Sequence, residues 1–296
     1  MGRVAVVTDS NSGITQNQAE ALGLSVLPMP FTMDGETFFE DINLTQETFY
    51  EKLLAGADIS TSQPSTGNVL ELWNRLLETH DELVHIPMSG ALSASCESAE
   101  LLSRDFDGRV QVVNNLRISV TQRRSALDAA ELASIGWPAK RIKERLEQNK
   151  FDTSIYIMLD TLKFLKKGGR VTPAGAALGT LLNIKPVLQI QGGKLDAYAK
   201  VRGIKHGRTV LLEAMQKDFE GKFYGSSGSD KMCLDVAYTY DAEAAESFKR
   251  EVEAVFRGYE MHVAPLSLSV SCHIGPGALA LACTKKLSVQ HGEESI

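Results

Sequence analysis

The chain has 296 residues, 43% hydrophobic and 23% charged, with a formal net charge of −6, a composition that fits a folded globular protein of about two domains with a sizeable core. The negative balance argues against nucleic acid as a bulk partner. No apolar run approaches the ~18 residues of a membrane helix, and Cys96, Cys233, Cys272 and Cys283 match neither a zinc spacing nor a redox pair. The start, MGRVAVVTDS, enters a strand pattern without a cleavable apolar region. Val6 stands where a myristoylation signal needs Ser or Thr. A cytoplasmic protein with reduced thiols is therefore expected.

In chain order, RVAVVTDS reads as a strand and TQNQAEALGL as a helix. SVLPMPFTM reads as an edge or irregular strand because of its prolines. DGETFFED supplies a turn before the amphipathic helix NLTQETFYEKLLAG, which opens on a capping signal. After TSQPS come the helix TGNVLELWNRLLETH, the strand ELVHIPM, the loop SGALS, the helix ASCESAELLSRDF and the strand GRVQVVNN. Two further helices follow, VTQRRSALDAAELASIG and PAKRIKERLEQNK, the second with Pro138 at its start. Such alternation predicts an α/β fold, helices over a mainly parallel sheet, for residues 1–154. Sites in such sheets gather at the carboxyl ends of strands, which places the Asp9–Ser10 and Ser89–Ser93 loops on one rim.

The pattern changes near Phe151. A strand, a short helix, a Gly-Gly turn and a small-residue helix span TSIYIMLDTLKFLKKGGRVTPAGAALGTLL. KPVLQIQGGKLDAYAKVRG reads as a hairpin with GG at its tip. HGRTVLLEAMQKDF and DAEAAESFKREVEAVF read as helices around the strand MCLDVAYTY, and YEMHVAPLSLSVSC and ALALACTKKL as closing strands. An α+β domain over residues 155–290 is the expectation. Between Lys163 and Arg208 ten basic residues face a single acid, Asp196. Such a belt is either a solvated face or a docking surface for an anionic partner or head group.

There is no G-x-x-x-x-G-K-[ST] phosphate loop, and GPGALA at Gly275–Ala280 reads as a turn entering a strand. Gly90 precedes Ser93 by three residues, so MSGALSAS fails the G-x-S-x-G elbow of α/β hydrolases. What remains is small, neutral and polar. Ser93 falls at the start of a helix, where free N–H groups favour an anion, or where it serves as the cap of its own helix; the two roles are compatible. In TSQPS, Ser65 or Thr66 reads as a cap, which leaves Thr61 without a structural explanation. His273 reads on its own as a satisfied core histidine, and Arg170 as a surface residue.

Taken together, VTDS, TSQPS, SGALSAS, TLKFLKKGGRVTPAGAALGTLLNIKPVL, KVRG and HIGPGALA, in this order over nearly the whole chain, resemble the DegV family. These are bacterial fatty acid-binding proteins, acyl-carrying subunits of a fatty acid kinase in phospholipid metabolism. The resemblance implies a DegV-like two-domain fold holding one long-chain fatty acid in an apolar tunnel at and near the domain junction. It implies carboxylate binding by Thr61 and Ser93, a supporting network of Ser62, Arg170 and His273, and partner docking through Arg202. It also implies no catalytic residue, metal or cofactor in this chain. ATP chemistry would reside in the kinase catalytic subunit, and transient contact with a membrane surface is compatible with the basic belt. Burial of about fourteen methylenes at ~0.8 kcal/mol each would supply on the order of 10 kcal/mol before binding costs. Two departures stand out: Asn114 and Asn115 occupy the usual Asp-Ser position with no glycine after them, and Ala94 stands where glycine is frequent. The rival reading is a serine-dependent acyl hydrolase or transferase with Ser93 as nucleophile and His273 as base.

Overall fold

In the computed structural model, which describes residues 2–178 and 184–287, the chain forms two units. It opens with β1 (Val4–Asp9), α1 (Gln16–Ala21) and β2 (Ser25–Leu27). Next come β3 (Phe31–Met33), β4 (Glu36–Phe38), α2 (Gln46–Leu54) and β5 (Ile59–Thr61). Then follow α3 (Thr66–Leu77), β6 (Glu82–Ile86), α4 (Ser95–Ser103), β7 (Val110–Val112), α5 (Ser119–Ser134) and α6 (Ala139–Gln148). The later part contains β8 (Thr153–Met158), α7 (Lys163–Gly168), α8 (Pro173–Ala176), β9 (Ile184–Ile190), β10 (Asp196–Arg202) and α9 (Ile204–Glu220). It closes with β11 (Met232–Tyr238), α10 (Ala242–Val255), β12 (Glu260–Pro265), α11 (Leu268–Ile274) and β13 (Leu279–Lys285).

The first unit comprises residues 2–29, 63–151 and 286–287. Its sheet, in the order β2-β1-β6-β7, is parallel throughout. Successive side chains of the apolar strands feed opposite faces. Val6, Val84 and Ile86 pack with Ala126, Leu132 and Ile142 of α5 and α6. Ala5, Val7 and Leu83 pack with Leu72 and Trp73 of α3 and Ala99 of α4. This is the α/β architecture that the alternating pattern predicts.

The second unit joins Pro30–Ser62 to Asp152–Lys285. Its main sheet runs β10-β9-β8-β13-β11-β12, antiparallel except for β11 and β12. Tyr156, Leu234, Val236 and Leu281 pack there against Leu211, Met215, Phe248 and Val252 of α9 and α10. The segment 30–62 contributes a separate sheet, β4-β3-β5, backed by α2. Phe31 and Phe49 meet edge to face at 5.7 Å, and this cluster packs on Leu268 and Cys272 of α11 and on Phe164 of α7. The reading of two consecutive segments, cut between 154 and 155, differs from this division, because 30–62 lies with the later residues.

Two local readings are corrected. DGETFFED holds strand β4, paired with β3 through Phe31–Phe38, where only a turn is expected. LSLSVSC, expected as strand, forms helix α11. Its first turn is capped by Ser267, whose Oγ accepts from the Val270 N–H, and the Leu268 N–H donates to Glu40 Oε2 at 2.8 Å. That acceptor lies 228 residues away, so no local pattern carries the signal. The small-residue helix expected over PAGAALGTLL is seen as α8, and residues 179–183 lie outside the described residues. All four cysteines are buried free thiols. Among the described residues no helix is long and apolar enough to cross a membrane.

Candidate functional site

The second unit contains a cavity of about 500 Å³, within the usual range for small-molecule sites. Three elements build it. The 30–62 segment supplies apolar walls through Leu53, Ala57 and Ile59, α7 supplies Phe164, and α11 supplies Cys272. Its polar lining comprises Thr61, His273 and Arg170 together with Asp58, Ser60, Lys163 and Lys167.

Thr61 closes β5, where it pairs with Phe31 across the short sheet. His273 lies in the last turn of α11. Thr61 Oγ1 and His273 Nε2 are 2.9 Å apart, so two residues 212 positions apart form one hydrogen-bonded pair. Burial, and secondarily the Arg170 charge, push the His273 pKa down to about 4. The ring is therefore neutral at physiological pH, with one N–H and one acceptor nitrogen. Because protonation is easier in the unfolded chain (ordinary pKa 6.5) than in the folded one, the stabilising contribution of this histidine is full above about pH 6.5 and is lost as pH falls towards 4. The expected result in a histidine-resolved NMR titration is a His273 ring that shows no protonation step between pH 5.5 and 8. A step centred near 6.5 would contradict the burial described here.

KKGGR uses its two glycines differently. Gly169, at φ +67°, takes the left-handed conformation that ends α7, and its N–H donates to the Leu165 carbonyl. Gly168 is needed for space: a Cβ there would stand 2.1 Å from His273 Nδ1. Beyond the turn, Arg170 Nη1 donates to the Gly168 carbonyl at 2.5 Å. The guanidinium and the imidazole are thus held beside the same glycine. Lys167 pairs with Asp58 at 2.5 Å and holds that carboxyl below its ordinary range. Thr61, His273 and Arg170 are brought together; Ser62 is exposed just after β5, its N–H donating to the Pro30 carbonyl.

Ser93 belongs to the first unit. It is half-buried, and its Oγ accepts from the Ser95 N–H at 3.2 Å, a local bond at the start of α4. Its loop is held by Asn114 and Arg117. The Gly90 N–H donates to Asn114 Oδ1, and the Ser89 N–H to the Arg117 carbonyl. Asn115 Nδ2 donates to Ser125 Oγ at 2.7 Å. Leu116 and Ser119 both have positive φ, at 58° and 56°, a conformation disfavoured for residues with a Cβ. Ser93 is thus bonded as a residue at a helix start, and His273 as the partner of Thr61.

Arg202, at the end of the edge strand β10, is exposed. Part of the basic belt around it is neutralised within the unit: Lys185 pairs with Asp160 and Arg208 with Glu251. Sequence reasoning missed Glu40, whose carboxylate reaches both α2 and α11; a lone glutamate in a turn carries no local signal. Among the described residues no group of three His, Cys, Asp or Glu is arranged to hold a metal ion.

Residues 3–286 match the model of a family described as uncharacterised proteins of the DegV family. A DegV domain-containing protein from Deinococcus radiodurans is 32% identical over 280 residues, covering 94% of this chain and 97% of the relative. Among solved structures, a DegV family protein from Thermus thermophilus described by its fatty acid binding is similar at a TM-score of 0.86, with 31% identity over 96% of this chain and 100% of that one. DegV from Bacillus subtilis, described as a fatty acid-binding protein, has a TM-score of 0.84, with 27% identity over 97% and 100% of the two chains. The class is thus an α/β protein of the kind found in those structures, with a parallel sheet in one unit and a mixed sheet in the other. The chain belongs to the DegV family.

Proposed function

We propose that this protein binds one long-chain fatty acid and presents its carboxylate to a partner fatty acid kinase subunit, which supplies the ATP chemistry. The observation that carries the reading is the Thr61–His273 pair, with Arg170, in a cavity that Leu53, Ala57, Ile59 and Phe164 also line. The fatty acid binding attributed to the Thermus and Bacillus relatives supports it. A carboxylate taken out of water must be solvated by the protein or take up a proton. Here a neutral histidine serves that end indirectly. With its proton on Nε2, the ring donates to Thr61 Oγ1, leaving the Thr61 hydroxyl proton free to donate to the ligand. Arg170 adds positive charge close by, and aliphatic side chains supply the surface on which an alkyl chain gains its affinity. Ser93 is proposed as a further hydroxyl for retention, Ser62 as a minor polar support, and Arg202, with its neighbours in the basic belt, as the kinase-docking face. A transient approach to membrane lipid would use the same positive face.

Organic extraction of the purified protein followed by mass spectrometry tests the reading. About one fatty acid per chain is expected, and Ser93→Ala, made separately, should lower occupancy without lowering the melting temperature by more than a few degrees. Protein that carries no lipid and fails to take up added palmitate would end the proposal.

A further inference from the structure

His85 lies on β6, a strand with a parallel neighbour on each side, β1 and β7. The residue is 2% exposed, and its ring stands nearly perpendicular to that of Trp73, with centroids 5.6 Å apart. Neither ring nitrogen has a hydrogen-bond partner among the described residues. Ser95, at the first position of α4, is 8% exposed, and its Oγ likewise has none. A buried polar atom without a partner is costly and rare in folded proteins. Both side chains line one cavity of about 20 Å³ in the first unit, with Leu27, Val69 and Ala99 among its apolar walls.

Size and charge select the occupant. One water molecule needs about 10–15 Å³, so the cavity has room for one water and none for an acyl chain. Asp9 lines it too, and three N–H groups already satisfy that carboxylate: Oδ1 accepts from the Asn11 N–H and from Gln122 Nε2, and Oδ2 from the Met88 N–H. An anion would face the Asp9 charge at close range. A cation would lack ligands, since among the described residues no three His, Cys, Asp or Glu side chains are grouped to hold one. Burial pushes the His85 pKa down to about 3, so the imidazole is neutral, with one N–H and one acceptor nitrogen. The occupant that fits is neutral and able both to donate and to accept.

We propose that this cavity binds one ordered water molecule, which bridges a His85 ring nitrogen to Ser95 Oγ and so ties β6 to the first turn of α4. The Ser95 N–H donates to Ser93 Oγ at 3.2 Å, so the bridged turn is also the one that orients the Ser93 hydroxyl. The site stands whether or not the protein binds fatty acid.

Two measurements on the full chain test it. An atomic-resolution crystal structure should show one compact density peak within hydrogen-bonding distance of a His85 nitrogen and of Ser95 Oγ, and Ser95→Ala should lose that peak. No peak, density longer than one atom, or a His85 ring bonded directly to Ser95 overturns the inference. The second measurement is a double-mutant cycle read as melting temperature. Ser95→Ala should lower it by about 2–4 °C in the wild type and by almost nothing in a His85→Phe background, where the bridge is already broken. Equal losses in the two backgrounds would show that the residues share no water. His85→Leu serves as the second background if His85→Phe does not fold, and the density measurement on wild type needs neither.

Discussion

Replacing Thr61 by valine is expected to weaken fatty acid retention by about ten- to a hundredfold. Valine keeps the shape and removes one hydroxyl, so the apolar wall survives. The loss has two sources. A hydrogen bond to a charged group is worth about 1.5–3 kcal/mol, or one to two powers of ten in dissociation constant. The His273 Nε2, 2.9 Å from the deleted oxygen, also loses its partner inside the protein. Titration with a fluorescent fatty acid gives the size of the effect, and lipid mass spectrometry shows whether purified Thr61→Val still carries cargo. Thr61→Ser should recover most of the affinity. Unchanged affinity in Thr61→Val would remove the Thr–His pair from the binding site.

The second large effect is expected at Gly168. Alanine is ordinarily the better residue inside a helix, by up to about 1 kcal/mol, so any loss on Gly168→Ala is steric. The new methyl would lie 2.1 Å from His273 Nδ1 and 2.8 Å from its Cε1, closer than van der Waals contact allows. The ring must swing away, breaking its bond to Thr61, and overpacking of this kind costs about 1–3 kcal/mol. Both a lower melting temperature and a loss of bound fatty acid are expected. Gly169→Ala separates the causes. That position has nothing within 4 Å of its Cβ direction but a φ of +67°, so alanine there is penalised by about 1–2 kcal/mol of backbone strain alone. It should lose stability with less effect on binding. Wild-type stability and occupancy in Gly168→Ala would contradict the position of the His273 ring.

Much of the architecture is legible in local pattern because the first unit is built from local units. The strand–helix pairs there carry their own periodicity, and two of the helices carry side-chain caps as well: Thr15 with Gln18 for α1, Ser65 for α3. The hairpin of β9 and β10 is equally legible, with its glycines between two apolar strands. The readings fail where structure depends on distant partners. Strands β4 and β5 have three residues each, too short to show alternation, and exist because each pairs with β3. Helix α11 alternates apolar and small polar residues as a strand would, yet its first N–H finds Glu40 rather than a neighbouring strand. The site shows the same division. Thr61 is conspicuous in the sequence as a hydroxyl without a capping role, whereas Arg170 and His273 stand out only through the family resemblance. Glu40 carries no local signal, since its importance lies in what it touches.

The pairing of Thr61 with His273 also has a temporal side. At 5–20 residues per second, a ribosome needs roughly 10–40 s to polymerise the stretch between them. During that interval the early β-hairpin and its aromatic cluster have been made, but the short helix that covers Phe31 and Phe49 has not. The nascent polypeptide therefore carries unsheltered aromatic surface until α11 emerges, and chaperone demand should concentrate on this one early segment.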